Sequence, residues 1–197
     1  MSLRGLLRAP SHMGTEKLSA IVDGKSVAVV GNASSLFGKN LGAEIDSHDV
    51  VVRLNRGFIV DPQSQGSRTD IAGTARPLSL EQVNVQYKPQ LIYWLFWRLW
   101  HIPPWNEAIW NKTEVIPSSD WYAANRQLKG RPTSGFVMCH TLLKRTKPKA
   151  LNVYGFDFYA TDNFYRGPLN RKSVHRHDKE EEAFKALIAE YKHATLK

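Results

Sequence analysis

Four short runs along the chain are apolar without alternation. They are Val27-Ala28-Val29-Val30, Val50-Val51-Val52-Arg53-Leu54, Leu91-Ile92-Tyr93-Trp94-Leu95 and Leu151-Asn152-Val153-Tyr154. Each is rich in β-branched or aromatic residues and ends at glycine or polar punctuation, which predicts strands. Runs apolar on both faces suit a parallel sheet covered by helices. Helices are predicted between them. Ser118-Ser119 caps one through Asp120 to Leu128, with Gly130 just past its end. Thr133 or Ser134 caps a second, from Phe136 to about Lys147, before Pro148; its last turn carries Lys144, Arg145 and Lys147, matching the negative end of the helix dipole. A third begins near Asp178, where Phe184, Leu187, Ile188 and Tyr191 recur at helical spacing and read as core packing. The stretches 62–79, rich in Gly, Pro, Ser and Gln, and 97–110, containing Pro103-Pro104, read as loops. The fold class is therefore α/β, a mostly parallel sheet flanked by helices. Residues 1–24 read as a weakly helical lead-in and 25–197 as a single domain.

Composition narrows the partners. The 197 residues suit one core, and Lys+Arg 27 against Asp+Glu 18 gives a formal net charge of +9. That excess favours anions: a nucleotide phosphate, a sugar carboxylate, nucleic acid or an acidic membrane face. It is spread along the chain and no nucleic-acid motif accompanies it, so nucleic acid is not the expected partner. The one cysteine, Cys139, rules out an internal disulfide and a cysteine-rich zinc site, and is expected as a buried core thiol. No run is long and apolar enough to span a bilayer, and the first 17 residues lack a signal-peptide core. The expected location is cytoplasmic, with peripheral contact at the inner membrane face as an option.

Two polar turns stand where a parallel sheet binds ligands. The first, Gly31-Asn32-Ala33-Ser34-Ser35, follows the first strand. Gly31 lets the backbone approach a ligand, and Asn32, Ser34 and Ser35 offer hydrogen bonds to phosphate, ribose or base. The turn is expected to feed a helix N-terminus, which favours anions. The second, Thr133-Ser134-Gly135, precedes the second predicted helix and is a further anion-ready N-terminus. Neither has dinucleotide or P-loop spacing.

The stretch Val27-Ala28-Val29-Val30-Gly31-Asn32, continued by Gly42-Ala43-Glu44-Ile45-Asp46-Ser47-His48-Asp49-Val50-Val51-Val52-Arg53-Leu54-Asn55-Arg56 and by Arg68-Thr69-Asp70, resembles the large sialylmotif of glycosyltransferase family 29, the sialyltransferases. Thr133-Ser134-Gly135 with Leu151-Asn152-Val153-Tyr154-Gly155-Phe156-Asp157 resembles that family's small sialylmotif. The resemblance implies a GT-A-like, Rossmann-type fold and an inverting, metal-independent transfer of sialic acid or a related acidic sugar. The donor would be a CMP-sugar and the acceptor a glycan or glycolipid hydroxyl, with no cofactor. It places Asn32, Asn55, Thr133, Ser134 and Gly135 at the donor, beside Gly31, Ser34 and Ser35 of the first turn. The chain has Asn32-Ala33-Ser34-Ser35-Leu36 where the family commonly has Asn-Ser-Gly-Asn-Leu. It also lacks the cysteine at the motif start, as suits a short bacterial-type member.

A base must take the acceptor proton, and histidine titrates near neutrality. His175 stands five residues before Glu180, and His177 five before Glu182. Both fit the family's motif of histidine, four residues and glutamate. His177 is the preferred base, with His175 leaning on the donor phosphate. The family's His-Tyr-aromatic-acid cluster is not matched at Asn163-Phe164-Tyr165-Arg166, where Tyr165 or Arg166 would supply the phosphate contact instead. In the segment Tyr93 to Trp110, Tyr93, Trp94 and Phe96 are expected in the core. The tryptophans near Pro103-Pro104 would line an acceptor pocket or meet a membrane interface. Two rivals remain: a CMP-Kdo transferase and a non-catalytic nucleotide- or nucleic-acid-binding module.

Overall fold

The computed structural model describes residues 9–98, 101–165 and 177–197. Among them seven strands form one sheet, β1 (Ser26–Val30), β2 (Val50–Leu54), β3 (Ile71–Thr74), β4 (Leu91–Trp94), β5 (Thr113–Val115), β6 (Ala150–Tyr154) and β7 (Ala194–Leu196). Their order across the sheet is β5-β4-β3-β2-β1-β6-β7, and every pairing is parallel. The four apolar runs are thus four of the seven strands. Central strands have both faces covered, which is why β2 and β4 are buried at every position.

The helices are α1 (Glu16–Val22), α2 (Gly42–Asp46), α3 (Pro62–Gln65), α4 (Glu107–Asn111), α5 (Ser118–Leu128), α6 (Ser134–Arg145) and α7 (His177–Ala189). The three predicted helices appear as α5, α6 and α7. Thr133 caps α6, its side chain accepting from Phe136 N. The largest core cluster packs α1, α5, α6 and α7 against one sheet face, through Leu18, Ala124, Phe136 and Phe184 among others. A second gathers Ile92, Trp94, Trp105 and Trp110 on the other face.

Several expectations change. The stretch 62–79 is not all loop. It holds α3 and buried β3, whose small residues Ala72 and Gly73 concealed it; a Cβ on Gly73 would lie 3.2 Å from Met138 Sδ. Trp105 and Trp110 are core residues rather than an acceptor or membrane lining, and the Trp105 indole donates to Leu78 O. Helix α4 interrupts the expected loop 97–110. Within the expected lead-in, residues 13–24 hold helix α1 and are tied to the sheet. Met13 bridges to Val115, and Glu114 accepts from Lys17 N and Leu18 N at the start of α1. Leu18 and Val22 are then buried outright.

One charge sits inside the sheet. Arg53 in β2 is 1% exposed. It donates through Nε to Arg68 O and through Nη2 to Gln65 O, tying the segment after α3 to the strand. Burial lowers its pKa to about 10. No helix among the described residues is long and apolar enough to cross a membrane.

Candidate functional site

Strand order reverses between β1 and β6, and in open parallel sheets a crevice opens at such a switch point beyond the carboxyl ends of the strands. The turn after β1 (Gly31-Asn32) and the turn after β6 (Gly155-Phe156) flank it. The Thr133-Ser134-Gly135 turn closes over the same end.

Phe156 joins these turns. A Cβ on Gly31 would lie 2.3 Å from Gly155 O and 2.7 Å from the Phe156 ring, and one on Gly135 would lie 2.5 Å from the same ring. Gly31 thus makes room for both Gly155 O and the Phe156 ring, and Gly135 for that ring. The Phe156 ring in turn meets Phe184 of α7 at 5.2 Å between centroids. The two motif turns and the last helix are thus held around one side chain.

Ser34 and Ser35 also behave differently from expectation. Ser34 donates to Asp162 O through both N and Oγ, at 2.9 and 2.7 Å. Ser35 Oγ donates to Asp157 Oδ2 at 2.9 Å, and Ser35 N to Thr161 Oγ1 at 3.1 Å. Asp157 also receives Thr161 N and Tyr159 N. The serines thus fasten the β1 turn to the segment after β6. The turn continues as a three-residue 3-10 helix, Ser34–Leu36, rather than an α-helix. The anion-binding helix start expected there is absent, since one short turn sums little dipole. In the fastening segment Phe158 and Tyr159 both have positive φ, 54° and 70°. These are costly conformations held by the Asp157 bonds.

Asn32 keeps a group in reserve. Its Nδ2 donates to Leu54 O at 3.1 Å, while Oδ1 is buried without a hydrogen-bond partner. Gly57 makes room for it, since a Cβ there would lie 2.1 Å from that oxygen. Buried acceptors are rarely left unpaired, so Asn32 Oδ1 is the group in the crevice most in need of a donor. Asn55 adopts φ 53°. Its Oδ1 accepts from Ala75 N at 3.1 Å and Ser134 Oγ at 3.3 Å, linking the two motifs directly. Its carbonyl accepts from Tyr87 Oη at 2.9 Å. Burial raises the Tyr87 pKa, and the charge of Tyr165 adds to the rise. Tyr165 N donates to Asn163 Oδ1.

The sequence reading gave Glu180 only as the glutamate spaced from His175, with no role of its own. It is 6% exposed, and accepts from Thr133 N at 3.0 Å and, through its other oxygen, from Thr133 Oγ1. It thereby braces the residue that caps α6. Burial pushes its pKa up to about 7, opposed by the two Thr133 bonds. Glu182, paired with His177 in the sequence reading, is exposed. The signal for Glu180 was its place five residues after His175. His175 and Arg166 lie outside the described residues, and His177 is described only as the first residue of α7. Cys139 is buried and burial raises its pKa, as a core thiol requires.

The protein is thus an open, all-parallel α/β protein of the doubly wound class, with two asparagine-bearing turns and a capped helix start at the switch-point end of its sheet. Comparison with known proteins makes this specific. Residues 23–109 match the model of glycosyltransferase family 29 (sialyltransferase). The type 2 lactosamine alpha-2,3-sialyltransferase of Rattus norvegicus is 33% identical over 36% of this chain and 25% of its own length; that of Mus musculus is 34% identical over the same shares. The matched segment thus spans a quarter of those curated relatives. Among solved structures, a mammalian sialyltransferase aligns with TM-score 0.65 at 19% identity, over 99% of this chain and 77% of that one. The Campylobacter jejuni sialyltransferase CstII, in complex with cytidine-5'-monophosphate, aligns at 0.57 with 20% identity, over 88% and 80%. Residues 23–109 are thus similar to family 29, and the chain as a whole shares the fold of the solved sialyltransferases.

Proposed function

We propose that this chain is a glycosyltransferase that moves sialic acid, or a closely related acidic sugar, from a CMP-activated donor to a hydroxyl of a glycan acceptor. The observation that carries the reading is the junction at the switch point. There the unpartnered Asn32 Oδ1 and the Asn55–Ser134 hydrogen bond bring the two motif turns to one crevice. CMP offers what the crevice lacks: an exocyclic amine and ribose hydroxyls to donate to Asn32, and a phosphate for the start of α6. Helix α6 has 12 residues, enough for its first amides and dipole to favour an anion. The Campylobacter jejuni relative was solved with CMP, which supports the same ligand here.

In the proposed reaction the acceptor hydroxyl attacks the anomeric carbon as its bond to the phosphate oxygen breaks. The centre inverts, a histidine takes the hydroxyl proton, and CMP leaves with the bonding electrons. Charge building on the leaving phosphate is stabilised by the α6 amides and by Tyr165 or Arg166. The base comes from the His175–His177 pair. The burial of Glu180 and the exposure of Glu182 favour His175, since Glu180 then fills the glutamate place of the His-four-Glu spacing. The reaction is proposed to need no metal.

Thermal shift and calorimetry with CMP, CDP, UDP and a short DNA duplex test the ligand. Stabilisation by CMP above the others is expected; a response to DNA alone would overturn the transferase reading. CMP release from CMP-sialic acid and from CMP-Kdo then fixes the donor. Turnover unchanged by EDTA is the expected result for metal independence.

A further inference from the structure

Arg53 is a buried cation whose bonds all go to neutral groups. It is 1% exposed, and it donates to two carbonyls, Arg68 O and Gln65 O. Its Nη1 is buried with no hydrogen-bond partner. Among the described residues no carboxylate is ion-paired with it, and Asp46 and Asp70 act on it only through their fields. Those two acids are bound elsewhere. Asp46 receives Ser67 N and Oγ, and Asp70 receives Val51 N and the Arg68 guanidinium. A buried charge without a counter-charge is costly, and such groups are ordinarily paired.

A cleft of about 370 Å³ opens beside this charge. Arg68, which accepts from Arg53 Nε, lines it, and so does Tyr87, the first of the side chains whose fields reach Arg53. Two further atoms of the lining are buried without partners, Arg68 Nε and Thr69 Oγ1. Asp70, the acid of the lining, is held by Arg68 at 3.0 Å. Lys88 is exposed and has no ion pair among the described residues. Its backbone N donates to Val83 O at 2.8 Å, which anchors it at the end of the π-helical turn Gln82–Tyr87. Ile59 and Val85 form apolar walls, and Val85 is 62% exposed. Donors without acceptors, beside two cations without carboxylates, call for an anion. Two positive charges match the near-dianionic state of a phosphate monoester at neutral pH.

We propose that this cleft binds the phosphate of a small phosphate ester. Lys88 makes the direct contact, the buried Arg53 guanidinium acts through its field with little screening by water, and the ester's apolar portion rests on Ile59 and Val85. Ser67 to Asp70 lead into the amino end of β3, and Lys88 precedes β4. The cleft is therefore separate from the crevice at the carboxyl end of β1 and β6, and the inference does not rest on the transferase reading.

Calorimetry with phenyl phosphate, inorganic phosphate and phenol, at about 50 mM NaCl to limit screening, tests the site on the full chain. Phenyl phosphate is expected to bind with a Kd on the order of 0.1–1 mM, inorganic phosphate at least about threefold more weakly, and phenol not detectably. Lys88→Gln removes the contacting charge, and Val85→Asp places a carboxylate on the wall. Each is expected to weaken phenyl phosphate by at least roughly fivefold. Both residues are exposed, so melting temperatures should stay within about 2 °C of wild type and show the variants folded. Asn32→Ala, in the donor crevice, should leave this affinity within about twofold. The inference is overturned by absence of phenyl phosphate binding, by phenol or inorganic phosphate binding as tightly, or by binding that either cleft variant leaves intact. Loss of binding in Asn32→Ala would assign the heat to the donor crevice and overturn it equally. Sedimentation with phosphatidic acid vesicles identifies the source of the phosphate. Co-sedimentation abolished by Lys88→Gln supports the site with a lipid headgroup as its ligand, and no co-sedimentation supports it with a soluble ester.

Discussion

Replacing Glu180 by glutamine isolates the carboxylate that braces the α6 cap. Glutamine keeps the shape, so Thr133 N retains an acceptor, but it cannot ionise. In the folded chain burial moves the Glu180 pKa from 4.5 to about 7. The folded state therefore holds more protons than the unfolded state between those values, and stability falls as pH rises through that window. At about 1.4 kcal/mol per pH unit the full effect is on the order of 3 kcal/mol, with about 2 kcal/mol of it lost between pH 5 and 7.5. For a domain of this size that is roughly 4–8 °C in Tm. Glu114 is also raised by burial and His140 lowered by it; both act equally in the two proteins and cancel in the comparison. Urea unfolding of wild type and Glu180→Gln at pH 5 and 7.5 gives the difference. Wild type should lose about 2 kcal/mol more than the variant over that interval, with equal m values. Parallel pH slopes in the two proteins would refute the buried, bracing role of Glu180.

Two further outcomes separate fastening residues from ligand residues. Ser35→Ala removes the bond to Asp157 and should cost about 1 kcal/mol in urea unfolding while CMP affinity stays within twofold. Asn32→Ala should instead weaken CMP by roughly tenfold or more in calorimetry, because the buried Oδ1 is the crevice's open acceptor. Gly135→Ala drives a methyl into the Phe156 ring and should lower stability by about 1–3 kcal/mol, with Phe156→Leu in the same chain restoring part of it; an additive double variant would separate the two residues.

The sequence by itself determined the frame. Runs such as Val27–Val30 are apolar on both faces because central parallel strands have no solvent side, and that pattern survives without any knowledge of pairing. Thr133, Gly130 and the stripe Phe184, Leu187 and Ile188 announced helices by local chemistry alone. The motif spacing pointed to two turns that the fold brings together at the carboxyl end of the sheet. What a side chain faces was decided only in three dimensions. Ser34 and Ser35 carry free hydroxyls in sequence, yet Asp157 and Asp162, more than 120 residues away, take both. Gly31 and Gly135 stand far apart in sequence, and only the fold sets the Phe156 ring against both. Trp105 and Trp110 looked available until a second core closed over them. β3 was invisible because Ala72 and Gly73 are small, and small residues there are demanded by α6 packing above, which is a long-range fact. Glu180 shows the same limit most sharply. Its spacing from His175 was legible, but its grip on Thr133 depends on α7 lying against α6.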